Sequence, residues 1–143
     1  MDLALQAAEN AANAGEVPIG CVIVLNGEVI ATAGNRTIRD NDPTAHAEVL
    51  AIRQAAGMLG SQRLTECDLY VTLEPCTMCA GAISFARIRR LYFGAADPKG
   101  GGVDSGVRFF AQPTCHHAPE VYAGIAESEA ADILRGFFQS RRD

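Results

Sequence analysis

The apolar positions from Leu3 to Ala14 recur at helical spacing, and Gly15 follows as a stop, so the chain is expected to open with an amphipathic helix. Val17-Pro18-Ile19-Gly20 then leads into the apolar run Cys21 to Leu25, which has the length of a strand. Asn26-Gly27 separates that run from Val29-Ile30-Ala31, a strong signal for a two-residue hairpin. The stretch from Asn35 to Thr44 is polar and contains Asp42-Pro43, so it reads as a loop feeding a helix. That helix is expected from Ala45 to about Ala56, with Val49, Ile52 and Ala56 on one face and Gly57 and Gly60 closing it. Asp68 to Leu73 reads as a buried strand. Pro75 suits the first position of a helix from roughly Cys76 to Arg87, since its missing N–H is no loss there. Leu91-Tyr92-Phe93 is a further strand candidate. Gly94 to Gly106 holds five glycines and no apolar period, which predicts a long exposed loop of the kind that often carries function. Ala130, Ile133, Leu134, Phe137 and Phe138 fall at helical spacing and predict a docked C-terminal helix.

Helices and strands alternate after the initial hairpin, which points to a mixed sheet covered by helices on both faces. One layered α/β domain spanning residues 1–143 is expected, without repeats or linkers. With 48% apolar and 20% charged residues, the composition is that of a globular protein, long enough to bury a core without staples. No apolar run reaches the length of a membrane span. The N-terminus has neither a basic flank nor an apolar core, so no signal peptide is expected. Five cysteines, an odd number, then argue for reduced thiols and a cytoplasmic protein. Cys21 lies in an apolar strand and reads as core, and Cys67 and Cys115 read as structural. The net charge of −5 counts against non-specific binding to nucleic acid. Arg87, Arg89, Arg90, Lys99 and Arg108, with Arg141 and Arg142, allow either a local basic rim or simply solvated surface charge.

The chemistry lies in His46-Ala47-Glu48 and Pro75-Cys76-Thr77-Met78-Cys79. One imidazole and two thiolates supply three ligands to a zinc ion and leave the fourth tetrahedral position for water, the arrangement of a catalytic site. Residues i and i+2 lie nearly opposite each other around a helix. His46 and Glu48 can therefore share a site only off the helix's N-terminal end, and Cys76 opens its own helix likewise. A zinc ion between two helix N-termini is expected, their partial positive charge helping to hold Cys76 and Cys79 as thiolates. Two thiolates make the zinc a milder acid, so a carboxylate that accepts the proton of the zinc-bound water matters more. Glu48 fits that role, with the water as nucleophile on an amidine carbon and Glu48 carrying protons to the ring nitrogen and to departing ammonia. The H-x-E and P-C-x-x-C pair is the signature of zinc-dependent base deaminases. The bland alternative is a structural zinc with a fourth ligand from Cys67, Cys115, His116 or His117. Taken alone, Asn35 reads as a turn residue and Phe137-Phe138 as core.

At these residues the chain resembles the bacterial tRNA-specific adenosine deaminases, within the cytidine deaminase-like superfamily. The similarity covers Glu16 to Gly20, Asn35, Asp42 to Glu48, Leu69 to Ala82, Ser84, Arg87-Ile88, Phe93 to Ala95, Asp97, Lys99-Gly100, and Phe137-Phe138 with Arg141-Arg142. The resemblance implies a three-layer α/β/α fold with a mixed five-stranded sheet, a homodimer, and one zinc per subunit. It implies deamination of adenosine to inosine at the wobble position of an arginine tRNA, with the base flipped into the zinc pocket. Carried over, His46, Cys76 and Cys79 are the zinc ligands and Glu48 is the proton shuttle. Asn35 would hydrogen-bond the target base or ribose, Asp97 would contact the anticodon backbone, and Phe138 would line the pocket for a flanking nucleotide. Pro75 and Lys99 fall among the substrate-binding positions. His116 stands where the family often has an asparagine that contacts RNA, and either side chain can hydrogen-bond. The basic C-terminal tail of some relatives is lacking. Two other readings compete: a free base or nucleoside deaminase of guanine or cytosine type, and a non-catalytic zinc-stabilised RNA-binding module.

Overall fold

A computed structural model describes residues 1–142, and the Arg142 side chain and Asp143 lie outside the described part. The elements run α1 (Asp2–Asn13), β1 (Gly20–Leu25), β2 (Glu28–Gly34), α2 (Ala47–Leu59), β3 (Cys67–Leu73), α3 (Thr77–Ala86), β4 (Arg90–Ala95), a short 3-10 turn (Phe109–Ala111), β5 (Glu120–Tyr122) and α4 (Glu127–Arg142). The five strands form one mixed sheet in the order β2-β1-β3-β4-β5. β1 is antiparallel to both its neighbours, and β3, β4 and β5 are parallel. Helices α1 and α4 pack on one face and α2 and α3 on the other, giving three layers.

The hairpin follows the Asn-Gly signal. Asn26 and Gly27 take φ of +50° and +79°, the left-handed pair that matches the twist of the flanking strands. The alanines of α1 serve close approach. Ala4, Ala7, Ala8 and Ala11 are buried, and a Cβ on Gly20 would stand 1.9 Å from the Ala4 carbonyl oxygen. The helix backbone therefore rests directly on β1. The core lies mainly between the sheet and the α2–α3 layer, with Ile23, Leu69, Val71, Leu91 and Phe93 facing Ala51, Ala55, Ala80 and Ile83.

Several boundaries differ from the sequence expectation. α2 buries Ala47, Glu48, Ala51 and Ala55, whereas Val49, Ile52 and Ala56 are only half-buried. The small side chains let the helix settle close to the sheet and turn the larger ones to its flank. Gly57 lies within α2, and Gly60 caps it in the left-handed region. Cys76, not Pro75, begins α3: it is the N-cap, with extended backbone, and Pro75 precedes it. The glycine-rich stretch is only partly exposed, because Gly94 belongs to β4 and Gly101, Gly102 and Val103 are buried. β5, three residues long, has no sequence signal of its own and owes its place to pairing with β4.

Candidate active site

The parallel strands β3 and β4 end at Leu73 and Ala95, and the segments leaving them turn outward at the same edge. In an open α/β sheet that is where ligands bind. α3 begins there at Cys76, and α2 brings its first turn to the same point with His46 as N-cap. The His46 side chain makes no bond to its own helix, and that of Cys76 meets only the Cys79 amide there. Both side chains turn instead to a common centre.

There, His46 Nδ1 lies 3.6 Å from Cys76 Sγ and 3.5 Å from Cys79 Sγ. The three donor atoms all fall within 4.8 Å of one another. One imidazole nitrogen and two sulfurs at these separations suit a tetrahedral zinc with one position left for a solvent or substrate atom. The donor chemistry fits as well. The Cys76 thiol is drawn down to about 4, first by the hydrogen bond from Cys79, against the opposing effect of burial, and with help from His46 and the Cys79 backbone amide. Cys79, the donor of that bond and itself buried, is pushed up. Cys67 is buried in β3, Cys115 Sγ donates to the His117 carbonyl oxygen at 3.1 Å, and His117 Nε2 lies 2.7 Å from the Ile88 carbonyl oxygen. None of these, nor His116, joins the cluster among the described residues. The fourth-ligand alternative therefore has no candidate.

Glu48 is 4% exposed, and burial is the main cause that pushes its carboxyl up to about 7. Its neighbours in charge are Cys76, His46 and Cys79, so it faces the same centre. A carboxyl held near neutrality can both accept and return a proton.

A cavity of about 540 Å³ opens beside the cluster, and its walls include Asn35, His46, Leu73, Asp97, Leu134 and Phe138. Four sequence-selected positions thus converge from different parts of the chain. Asn35 is buried, and its Oδ1 accepts the Ala47 amide at 2.8 Å, which satisfies the opening of α2 and leaves the side-chain NH2 as the group available to a ligand. Asp97 Oδ1 accepts the amides of Lys99 and Gly100 at 3.2 and 3.0 Å. Phe138 is half in solvent and stands edge-on to Phe137. Pro75 is fully buried and lines no part of the cavity. Lys99 and His116 are exposed and also stay off its walls, His116 lying against Phe85.

The basic stretch does not form one rim. Arg89 and Arg90 pair with Asp68 and Glu120 at the start of β4, the opposite end of the strand from the site. Arg87 caps the far end of α3. Lys99 and Arg108 remain exposed on the loop after β4, and Arg141 stacks over Phe137 at 4.6 Å.

Two buried carboxylates escaped the sequence reading. Glu16 accepts the amides of Ile38 and Arg39 at 3.1 and 2.9 Å and pairs with the Arg39 guanidinium, fixing the loop that carries Asn35. Glu74 accepts five hydrogen bonds from residues 97–105. An acidic residue directly before Pro75 was the one available signal for it.

The cytidine and deoxycytidylate deaminase zinc-binding region, as a family model, matches residues 1–95. The chain is 68% identical over 142 residues to a tRNA-specific adenosine deaminase of Agrobacterium fabrum, covering 99% of this chain and 93% of that protein. It is 44% identical to the Bacillus subtilis protein of the same name, covering 99% and 88%. A solved structure from work on A-to-I editing by tRNA:A34 deaminases at the wobble position superposes with a TM-score of 0.93 at 69% identity, over 94% of this chain and 97% of that one. Guanine deaminase of Bacillus subtilis superposes with a TM-score of 0.66 at 34% identity, over 99% and 91%.

Proposed function

Because this chain belongs to the cytidine and deoxycytidylate deaminase zinc-binding family, we propose that it deaminates adenosine to inosine at the wobble position of tRNA, with an arginine tRNA as substrate. The observation that carries the reading is the meeting of three zinc donors and one buried carboxylate, joined through His46 to a nucleoside-sized cavity. The choice of tRNA adenosine over free guanine rests on likeness: 69% identity and a TM-score of 0.93 to the A34 deaminase structure, against 34% and 0.66 to the guanine deaminase.

His46, Cys76 and Cys79 would hold the zinc ion. When bound, zinc supplies Lewis acidity that makes water nucleophilic near neutral pH. The reaction replaces the exocyclic amine of adenine by a carbonyl oxygen from water and releases ammonia. Two protons must therefore move, one to the ring nitrogen and one to the departing amine. Glu48, buried beside the three donors, takes them up and delivers them. Asn35 orients the base or ribose through its free amide group. The base must leave the stack of the anticodon loop to enter, and Asp97 and Phe138 flank the opening it passes. Lys99 and His116, exposed outside the cavity, serve nucleotides beyond the flipped one, and Pro75 acts indirectly by seating Cys76.

We further assign a homodimer, packed through α2 and α3. Met58, Leu59, Met78 and Phe85 are large exposed apolar side chains on these two neighbouring helices, which a partner subunit would cover. Sedimentation at micromolar protein should give twice the chain mass of 15.1 kDa; a monomer would refute the assembly. Free cysteines and a tRNA substrate support a cytoplasmic location, and no helix among the described residues is long and apolar enough to cross a membrane.

The deciding experiment incubates zinc-loaded protein with transcribed arginine tRNA, with other tRNAs bearing a wobble adenosine, and with free adenosine, guanine and cytosine. Inosine should appear at the wobble position of the arginine tRNA alone. Turnover of free guanine without tRNA editing would establish the rival deaminase instead.

A further inference from the structure

Glu74 stands between the end of β3 and the N-cap of α3, 2% exposed. It has no cationic partner among the described residues. Leaving a carboxylate in such a place is strongly unfavourable unless hydrogen bonds replace its hydration. Five do. Oε1 accepts the Asp97 amide at 3.0 Å and the Ser105 hydroxyl at 3.0 Å. Oε2 accepts the amides of Val103, Asp104 and Ser105 at 3.1, 2.9 and 2.9 Å. Every one of these donors comes from the glycine-rich loop after β4.

The loop is fastened again beside Glu74. The Gly102 amide donates to the Pro75 carbonyl oxygen at 2.8 Å, and Gly101 pairs with Cys76 in an isolated antiparallel bridge. These contacts account for the glycines. A Cβ on Gly101 would lie 2.4 Å from Glu74 Cδ, and one on Gly102 would lie 2.8 Å from the Thr77 backbone. The loop is thus wrapped around one carboxylate, and its first tethered residue, Asp97, is a wall of the catalytic cavity.

We propose that Glu74 is a positioning residue that sets Asp97 against the RNA substrate by gathering the amides of residues 97–105 around its carboxylate. A purely structural Glu74 would support folding without regard to Asp97. A positioning Glu74 acts on substrate through that one side chain. The kinetic part of this inference rests on the tRNA deaminase reading; its geometric part does not.

Glu74→Gln separates the two. The glutamine carbonyl can replace Oε2 and keep the amides of residues 103–105. Its NH2 then falls at the Oε1 position, where the Ser105 hydroxyl can turn to accept but the Asp97 N–H meets another donor. Zinc content should stay at the wild-type level. Hydrogen exchange at the Asp97 amide should quicken by about tenfold or more. With an anticodon stem-loop substrate, KM should rise by about tenfold while kcat per zinc-loaded chain holds within about twofold. In an Asp97→Ala background the same substitution should leave KM unchanged, since the residue it acts through is gone. Unchanged exchange at Asp97, a fall in kcat with KM constant, or an equal KM effect in both backgrounds would each overturn the proposal. If the wild type edits no RNA, the function assigned above fails, and the exchange measurement still decides the role of Glu74. Should E74Q not fold, Glu74→Asp draws the carboxylate back by one methylene from the Asp97 amide and should speed exchange there in the same direction, and no change would overturn the idea.

Discussion

Glu48 and His46 sit two positions apart, and their division of labour follows from where the helix begins. His46 is the N-cap and so escapes the helical path, whereas Glu48 is in the first turn and buried beneath the cluster. Replacing Glu48 by alanine removes the proposed proton carrier but none of the three metal donors. Turnover should fall by about a thousandfold or more, while zinc measured by atomic absorption stays at the wild-type level. Loss of metal from that variant would mean Glu48 holds the ion rather than the proton. Asn35 caps α2 through Oδ1 and stands on the cavity wall, which leaves its NH2 for the proposed contact with the base or ribose.

Among the elements, α1 is held to the sheet by the absence of side chains. Gly20→Ala places a methyl 1.9 Å from the Ala4 carbonyl oxygen and 2.6 Å from the Ala8 nitrogen, both backbone atoms that cannot rotate away. The helix must lift off β1, at a cost of about 3 kcal/mol, which lowers Tm by about 10 °C. Gly57→Ala is the counterpart within α2, where an added Cβ meets nothing within 4 Å. It should raise stability by about 0.5–1 kcal/mol through helix propensity. If thermal melts moved both variants the same way, close approach would not be what these glycines provide.

For the whole molecule, acid stability depends on carboxylates that folding has satisfied. Burial by itself would raise the Glu16 carboxyl, but the amides of Arg39 and Ile38 and the Arg39 guanidinium outweigh it and hold it below its usual 4.5. A group whose folded value is depressed stabilises the protein above its unfolded value and loses that contribution as pH falls through the folded one. Stability should therefore decline below about pH 4.5, and Glu16→Gln should lose stability at neutral pH yet converge with wild type in acid. Urea titrations at pH 7 and pH 3 read this directly; an equal gap at both would exclude the linkage. Because Glu16 fixes the loop bearing Asn35 and Thr37, the same variant should also weaken substrate binding.

Local rules were enough for much of this. The Asn26-Gly27 turn, the helical alanines of α1, the close of α2 at Gly60 and the two ligand motifs all depend on neighbours within a few residues, so a sequence displays them. From His46 and Glu48 being i and i+2, even the meeting of two helix N-termini could be argued in advance. What the sequence could not display were partnerships across distance. Glu74 shows no role until residues 97–105 fold back upon it, and β5 is a strand only because β4 lies beside it. The inward face of α2 is set by packing against the sheet, which takes the small alanines and leaves Val49, Ile52 and Ala56 half-buried on the flank. Arg89 and Arg90 fit a basic rim or plain surface charge equally well by sequence, and only their acidic partners, at the far end of the strand from the site, decide for the second. Short-range geometry is written along the chain; which remote groups share a buried space is decided only when the layers close.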